Sequence, residues 1–272
     1  VRLLERLGIR PGVFHLNEGH SAFAPLELCA LEMEEAKISF EEAQNRISRK
    51  TVFPTHTPVP AGHDRFSPVM IDEALGHLRE RLGLELREFH GLGRLNLDDP
   101  EETFCMTVLA MKMSDYRNGV SNLHGRVSRR MWNGLWPDRR EAEVPIDHIT
   151  NGVHVSSFLA PAMKALYDRH LGADWMDEME DPEAWAGMAD VDPGELWETH
   201  QILKARLIDF VHKRVAQQDA PRGESAGQIV PGSGLDQEIL TIGFARRFAT
   251  YKRADLIMSD LERFKALVND AE

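Results

Sequence analysis

Arg246, Arg247, Lys252 and Arg253 put four cations into eight residues of a chain whose formal net charge is -12. Such a cluster suits a phosphate-type anion, with a solvated basic face as the plain alternative. Its setting favours the anion. Ile239 to Phe244 is a short apolar run with β-branched residues, bounded before by a Pro/Gly/Ser segment and after by Arg246 and Arg247, and it predicts a buried strand. From Tyr251 the apolar positions Ala254, Leu256, Ile257, Met258 and Leu261 fit one face of a helix. A strand, a basic turn and a helix in that order place the cations at the carboxyl edge of an α/β sheet.

A second set of candidates is made of uncharged hydrogen-bonding groups. Val13 to Leu16 reads as a strand that ends in Asn17-Glu18-Gly19-His20, with Ser21 as N-cap of a helix carrying Phe23, Leu26, Leu28, Leu31 and Met33. Here His15 and His20 are equally readable as ordinary hydrogen-bonded residues. Three prolines between Thr51 and His63 forbid a helix and fix an extended path around Thr55-His56-Thr57. His56 and His63 lack the spaced acidic partner of a zinc helix, so no metal site is expected. Ser121 caps a predicted helix in which Leu123, Val127 and Met131 recur at helical spacing and His124 lies one step away. Thr150-Asn151-Gly152 follows a short strand and by itself denotes a turn.

Further elements must hold these groups in place. Helical spacing recurs at 40–47, 67–82, 101–113, 161–171 and 194–218. Gly91 and Gly93 do not complete a dinucleotide fingerprint and mark a turn. Trp175, Trp185 and Trp197 can stack on a glucan, yet their helical spacing favours the core. The chain of 272 residues is long enough for one large or two medium domains, and no apolar run reaches membrane-spanning length. Its opening at Val1, with a helix already under way, reads as an internal piece of a longer protein. Cys29 and Cys105 form no metal-like pair and fit a reduced, cytoplasmic setting. The acidic balance disfavours nucleic acid and leaves a neutral polysaccharide open. The linker-like 220–236 separates a larger portion, 1–219, from a strand–helix unit at 237–272.

Five blocks, in order, carry a family resemblance: the stretch from His15 to Phe23, Thr55-His56-Thr57, the segment from Asn118 to Trp132, Ile149-Thr150-Asn151-Gly152, and Gly243 to Arg253. They resemble the α-glucan phosphorylases that act on glycogen, starch and maltodextrin. The resemblance implies a GT-B-type glycosyltransferase fold of two α/β domains, with 1–219 as part of the glucan-binding N-terminal domain and 237–272 as the opening of a Rossmann-like C-terminal domain. It implies reversible phosphorolysis of terminal α-1,4-glucosyl units to glucose 1-phosphate, with retention and with pyridoxal 5′-phosphate as cofactor. By resemblance His56 and Asn151 contact the glucosyl hydroxyls, and Glu18 and His20 line the pocket beside them. For His124 a core or capping role stands level with a direct one. Arg247 and Lys252 face the substrate phosphate, Arg246 and Lys252 the cofactor phosphate, and Tyr251 packs at their base. Where the family has lysine first in the basic pair this chain has Arg246, which keeps the charge and changes the geometry.

The partners implied are an α-1,4-glucan and inorganic phosphate, with a homo-oligomer open for the full-length protein. Lys252 and Lys265 do not match the family's Schiff-base lysine motif, and the family's N-terminal glycine-rich phosphate loop is not found. The isolated chain is therefore expected to be inactive and to bind cofactor poorly. Two rival readings are a nucleotide-sugar glycosyltransferase of the glycogen or starch synthase kind and a non-catalytic glucan-binding fragment.

Overall fold

Runs of β-branched and aromatic residues that break into Pro, Gly or Asn become the strands here, and capped amphipathic segments become the helices between them. A computed structural model describes residues 1–172, 174–219 and 235–269. Two compact units, Val1–Gly152 and Val153–Glu272, are described separately.

The first unit runs α1 (Arg2–Arg6), β1 (Phe14–His15), α2 (Ala24–Ala36), α3 (Phe40–Ser48), β2 (Thr51–Thr55), β3 (Arg65–Phe66), α4 (Pro68–Leu82), α5 (Leu86–Gly91), β4 (Phe104–Cys105), α6 (Met106–Lys112), β5 (Tyr116–Gly119), α7 (Asn122–Trp132) and β6 (Asp147–His148). Strands β1-β2-β5-β6 form one sheet in that order, every neighbouring pair parallel. Parallel neighbours need helical crossovers, so all four strands end at the same edge. Strands β3 and β4 make a small antiparallel pair, with Phe66 opposite Phe104.

Local chemistry explains several boundaries. Helix α4 starts where Ser67 Oγ accepts the Met70 N–H, carries Pro68 at its first position and stops at Gly83 with φ +65°. Pro there loses no helical hydrogen bond, and Gly alone enters the left-handed region at little cost. Helix α7 is capped by Ser121, whose Oγ accepts the His124 N–H at 3.1 Å. Its buried side is His124, Gly125, Ser128 and Trp132. The expected apolar face at Leu123 is corrected: Leu123 is 63% exposed. Small residues win this face because α7 lies close on the sheet. A Cβ on Gly119 would stand 2.7 Å from the Gly125 nitrogen. The helix expected at 101–113 begins only at Met106, because Phe104 and Cys105 pair with β3 instead.

Phe53 of β2 is fully buried beside Leu26, Ala30, Val108 and Leu109 in the core of this unit. Both cysteines are free and buried, and burial pushes the Cys29 thiol up to about 12, which keeps it protonated and inert.

The second unit is helical: α8 (Val155–Phe158), α9 (Pro161–His170), α10 (Pro193–Asp219) and α11 (Leu261–Val268). Tyr167, Trp175 and Trp185 meet edge to face with centroids 5.3 to 5.6 Å apart. Trp175 donates to Asp168 at 3.0 Å and is a core residue, while Trp197 is 60% exposed. Glu195 of α10 accepts from Arg169 and His170 of α9, tying the two helices together.

The expected strand at 239–244 is not formed, and helix is delayed. Two single 3-10 turns, Thr250–Lys252 and Leu256–Met258, precede α11. A contact distant in sequence stands in place of a ladder: Lys204 Nζ takes the Gln237 carbonyl at 2.6 Å and also that of Ile239, so these acceptors go to an ammonium. An unpaired strand would leave its N–H and C=O groups without partners. The GT-B-type expectation is corrected on this point, because no strand–helix opening of a second Rossmann-like domain exists among the described residues of 237–272. Most of the expected linker, residues 220–234, lies outside the described residues. Among the described residues no helix is long and apolar enough to cross a membrane.

The contact between β5 and α7 sets a test. Gly119→Ala forces a methyl against main-chain atoms that cannot rotate away. We expect a loss of about 1–3 kcal/mol of stability, or more, by urea denaturation. Gly134→Ala, where a Cβ meets nothing within 4 Å, should change it by less than about 0.5 kcal/mol.

Candidate functional site

The carboxyl edge of the parallel sheet gathers the uncharged candidates. Strand β1 leads directly into Asn17, Glu18 and His20, β2 into His56, β5 into Ser121 and His124, and β6 into Asn151. Edges of this kind are where α/β sheets hold ligands, since strand ends and turns leave side chains free of the ladder.

Glu18 joins the first two strand ends. Its N–H donates to the Pro54 carbonyl at 3.3 Å. Its carboxylate accepts the Gly19 N–H at 3.1 Å and the His56 N–H at 2.6 Å. It also accepts the Thr57 hydroxyl at 2.9 Å and, at longer range, the Thr55 hydroxyl at 3.5 Å. The backbone at Glu18 has φ +69° and ψ 176°, a region almost reserved for glycine, which costs about 1–3 kcal/mol. Gly19 follows because its α-carbon lies against α6. A Cβ there would be 3.1 Å from Thr107 Oγ1 and 3.2 Å from the Thr107 nitrogen. His20 ends this turn and is exposed.

His56 and Asn151 share one pattern, an anchored main chain with a free side chain. The His56 N–H is held by Glu18, and the imidazole is exposed with no hydrogen bond among the described residues. The Asn151 N–H donates to the Val120 carbonyl at 3.1 Å, and its exposed amide likewise has no partner among them. The Val120 N–H in turn donates to His124 Nδ1 at 3.2 Å. One residue thus anchors both: the Val120 N–H holds the His124 ring and the Val120 carbonyl holds Asn151, and His124 closes the turn from a buried position.

Behind this edge His63 Nδ1 lies 2.8 Å from Thr107 Oγ1, and its ring meets Trp132 edge to face at 4.8 Å. Burial pushes the His63 imidazole below its usual range; Glu18 and Asp64 oppose that shift, and Arg65 and His124 add to it. Burial is also the largest cause lowering His124, against the Thr57 main chain and Glu18, with His56 adding. The Nε2 atoms of both rings are buried without a hydrogen-bond partner among the described residues. Thr57, Thr107 and the structural role of His63 were not foreseen from sequence. The hydroxyl flanking His56 was the only local signal.

In the second unit the basic turn stands by itself. Arg246, Arg247, Lys252 and Arg253 have no carboxylate within ion-pair distance among the described residues, although acidic residues outnumber basic ones, 44 to 32. Lys252 Nζ sits 4.8 Å from the Tyr251 ring centroid, a cation–π contact. Arg253 holds φ +51°. Unpaired cations around a tight turn fit a phosphate group by charge and by donor chemistry. Among the described residues no group of three or more His, Cys, Asp or Glu is placed to hold a metal ion.

A cleft of about 610 Å³ in the first unit is lined by Val52, Tyr116, Asn118, Asp147 and Ile149, among others, and by none of the candidate residues. Its wall also carries Arg117 and Arg129, which, like Asn118, already donate to main-chain carbonyls of this unit.

No protein-family model matches the chain. Over 272 residues it is 43% identical to the maltodextrin phosphorylase of Thermococcus litoralis, which covers all of this chain and 31% of that protein. Over 273 residues it is 34% identical to the glycogen phosphorylase of Aquifex aeolicus, covering all of this chain and 39% of that protein. The glycogen phosphorylase of Mycobacterium tuberculosis is 38% identical over 269 residues, 96% of this chain and 30% of that protein. The chain thus spans about a third of the length of these relatives. They overturn the GT-B-type glycosyltransferase class as the expectation for this chain, whose fold is assigned with the phosphorylase superfamily instead.

The buried imidazoles make stability depend on pH. Their folded pKa values lie below the usual 6.5, so below that value the unfolded chain binds more protons and stability is lost as pH falls. Urea midpoints should be flat above about pH 7.5 and drop from about pH 7 to 5, and His63→Gln or His124→Gln should flatten that drop.

Proposed function

As this chain belongs to the glycogen and maltodextrin phosphorylase family and corresponds to part of its members, we propose that the protein it forms releases glucose 1-phosphate from the non-reducing ends of α-1,4-glucans. The observation that carries this reading is the paired arrangement of His56 and Asn151. Both are exposed at one sheet edge, with main chains fixed and side chains unspent. An imidazole and a carboxamide suit a neutral polyol, since both offer hydrogen bonds and the amide carries no charge to desolvate. Fixing their main chains in advance lowers the entropy lost when the sugar is bound.

In the proposed reaction an oxygen of inorganic phosphate forms a bond to the anomeric carbon, and the bond from that carbon to the glucan oxygen breaks. A proton from phosphate goes to the departing oxygen. His56 and Asn151 orient the glucosyl ring. Arg247 and Lys252 hold the substrate phosphate and stabilise the charge that builds as the bond breaks. Arg246 with Lys252 would hold the phosphate of pyridoxal 5′-phosphate, and Tyr251 supports Lys252 through its ring face. When bound, that cofactor would supply a phosphate beside the substrate phosphate with which a proton can be shared, with no net gain or loss on the cofactor. The unpaired state of the four cations supports this division of roles, and retention follows if the phosphate attacks from the face the glucan leaves. The buried thiols Cys29 and Cys105 fit a reduced, cytoplasmic setting for the protein.

Glucose 1-phosphate release from maltoheptaose, measured on the full-length protein with a coupled assay, tests the reading. His56→Ala or Asn151→Ala should lower kcat/KM roughly tenfold each, the size of one lost hydrogen bond. Arg247→Ala or Lys252→Ala should lower kcat about 100- to 1,000-fold. Phosphate-independent turnover of a nucleoside diphosphate sugar, unaffected by those substitutions, would sink it.

A further inference from the structure

Glu18 lies at the sheet edge beside His56, where a carboxylate would be read as one more sugar ligand. Its hydrogen bonds say otherwise. An ionised carboxylate has about four lone-pair directions. Oxygen Oε1 accepts from the Gly19 N–H and, at 3.5 Å, from Thr55 Oγ1, and Oε2 accepts from the His56 N–H and from Thr57 Oγ1. Three close donors and one more distant hydroxyl from this chain therefore take up most of the acceptor capacity. The shortest of these bonds, 2.6 Å, ends on the peptide of His56 itself.

We propose that Glu18 is a positioning residue for His56, which it orients through the His56 peptide and the two flanking threonine hydroxyls, and that it makes no contact with the sugar. The proposal rests on the glucan reading above and refines the role of this one residue within it.

Three features of the surroundings agree. The positive φ of Glu18 turns its side chain back over the end of β2, a conformation retained at a cost and fixed from several sides. The Glu18 N–H is bound to the Pro54 carbonyl, and its own carbonyl accepts the Ser21 hydroxyl at 3.2 Å, so the residue cannot pivot outward. Gly19 is pressed against Thr107, which closes the space behind. The loop being held, Thr55 to Thr57, carries an imidazole with no bond of its own among the described residues. Among the described residues the carboxylate is the acceptor that holds the His56 peptide, one residue beyond the end of β2, where the ladder with β5 stops.

The test is a double-mutant cycle on the full-length protein, with maltoheptaose binding read by calorimetry and the His56 amide read by NMR. Glu18→Gln keeps the shape and leaves an amide nitrogen facing a donor that now lacks an acceptor. It should weaken maltoheptaose binding roughly tenfold, about as much as His56→Ala. The double variant should bind no more weakly than His56→Ala alone, because Glu18 acts through His56. In the unaltered protein the His56 amide proton should be shifted downfield and exchange slowly, and both properties should vanish in Glu18→Gln while remote amides stay unchanged. Thr57→Val, which removes one donor at nearly constant volume, should shift both readouts the same way by less, and it covers the case in which Glu18→Gln does not fold.

Losses that multiply in the double variant would mean that Glu18 touches the sugar directly, and the proposal would be overturned. An unchanged His56 amide in Glu18→Gln would overturn it as well. If the unaltered protein does not bind maltoheptaose, the glucan reading fails, and the amide signal alone then decides whether the carboxylate holds the loop.

Discussion

The tie between the Glu18 carboxylate and the His56 peptide is the interaction on which the site geometry depends. It joins the ends of β1 and β2 after their ladder has stopped, where the backbone would otherwise be free. Its cost is the positive φ, about 1–3 kcal/mol. Hydrogen bonds to a charged group are worth about 1.5–3 kcal/mol each. Two main-chain donors and one well-placed hydroxyl therefore offset the strain, and the margin narrows when any one of them is lost.

The rest of the edge is built on the same plan by other means. Val120 donates to His124 and accepts from Asn151, so a single residue, through its two flanking peptides, replaces the carboxylate as the fixed point between β5 and β6. His124 can serve there only as neutral imidazole with a lone pair on Nδ1. Burial, which penalises the charged ring, keeps it in that form near neutral pH. The pH sensitivity of the fold and the order of the site therefore share a cause.

Much of this was legible in the sequence wherever a local rule decides. Ser121 caps its helix as read, and the strand at Val13 to Leu16 appears as β1. Ser21 does not cap α2, because it is taken into the 3-10 turn Gly19–Ser21 and the helix begins at Ala24 behind Phe23 with no side-chain cap. The prolines give an extended path only through β2, Thr51–Thr55; Pro60 instead opens a 3-10 turn, Pro60–Gly62, since a φ of about −65° also suits the first helical position. Readings failed where a long-range contact outweighed the local pattern. Leu123 lost the buried side of α7 because glycine and serine allow a closer approach to the sheet. Ile239 to Phe244 has the composition of a strand, yet Lys204, more than thirty residues away, takes the carbonyls that a neighbour would need. Hydrophobic pattern states a preference for burial. It does not supply the partner.

The charges are divided in a way that composition conceals. At the edge of the first unit the Glu18 carboxylate is consumed internally, which leaves the neutral side chains of His56 and Asn151 to face outward. In the second unit four cations stand without carboxylate partners among the described residues, in a chain with twelve more acids than bases. Placing an acid beside any of them would cost little on an exposed surface and would gain up to about 1 kcal/mol. Stability alone therefore gives no reason to keep them apart. A ligand does: a nearby carboxylate would repel a phosphate by about 4 kcal/mol per unit charge at 4 Å in a medium of effective dielectric near 20. Leaving the cations unpaired forgoes a small stabilisation and avoids a much larger penalty on any anion held there, which is what the proposed phosphate role of these residues requires.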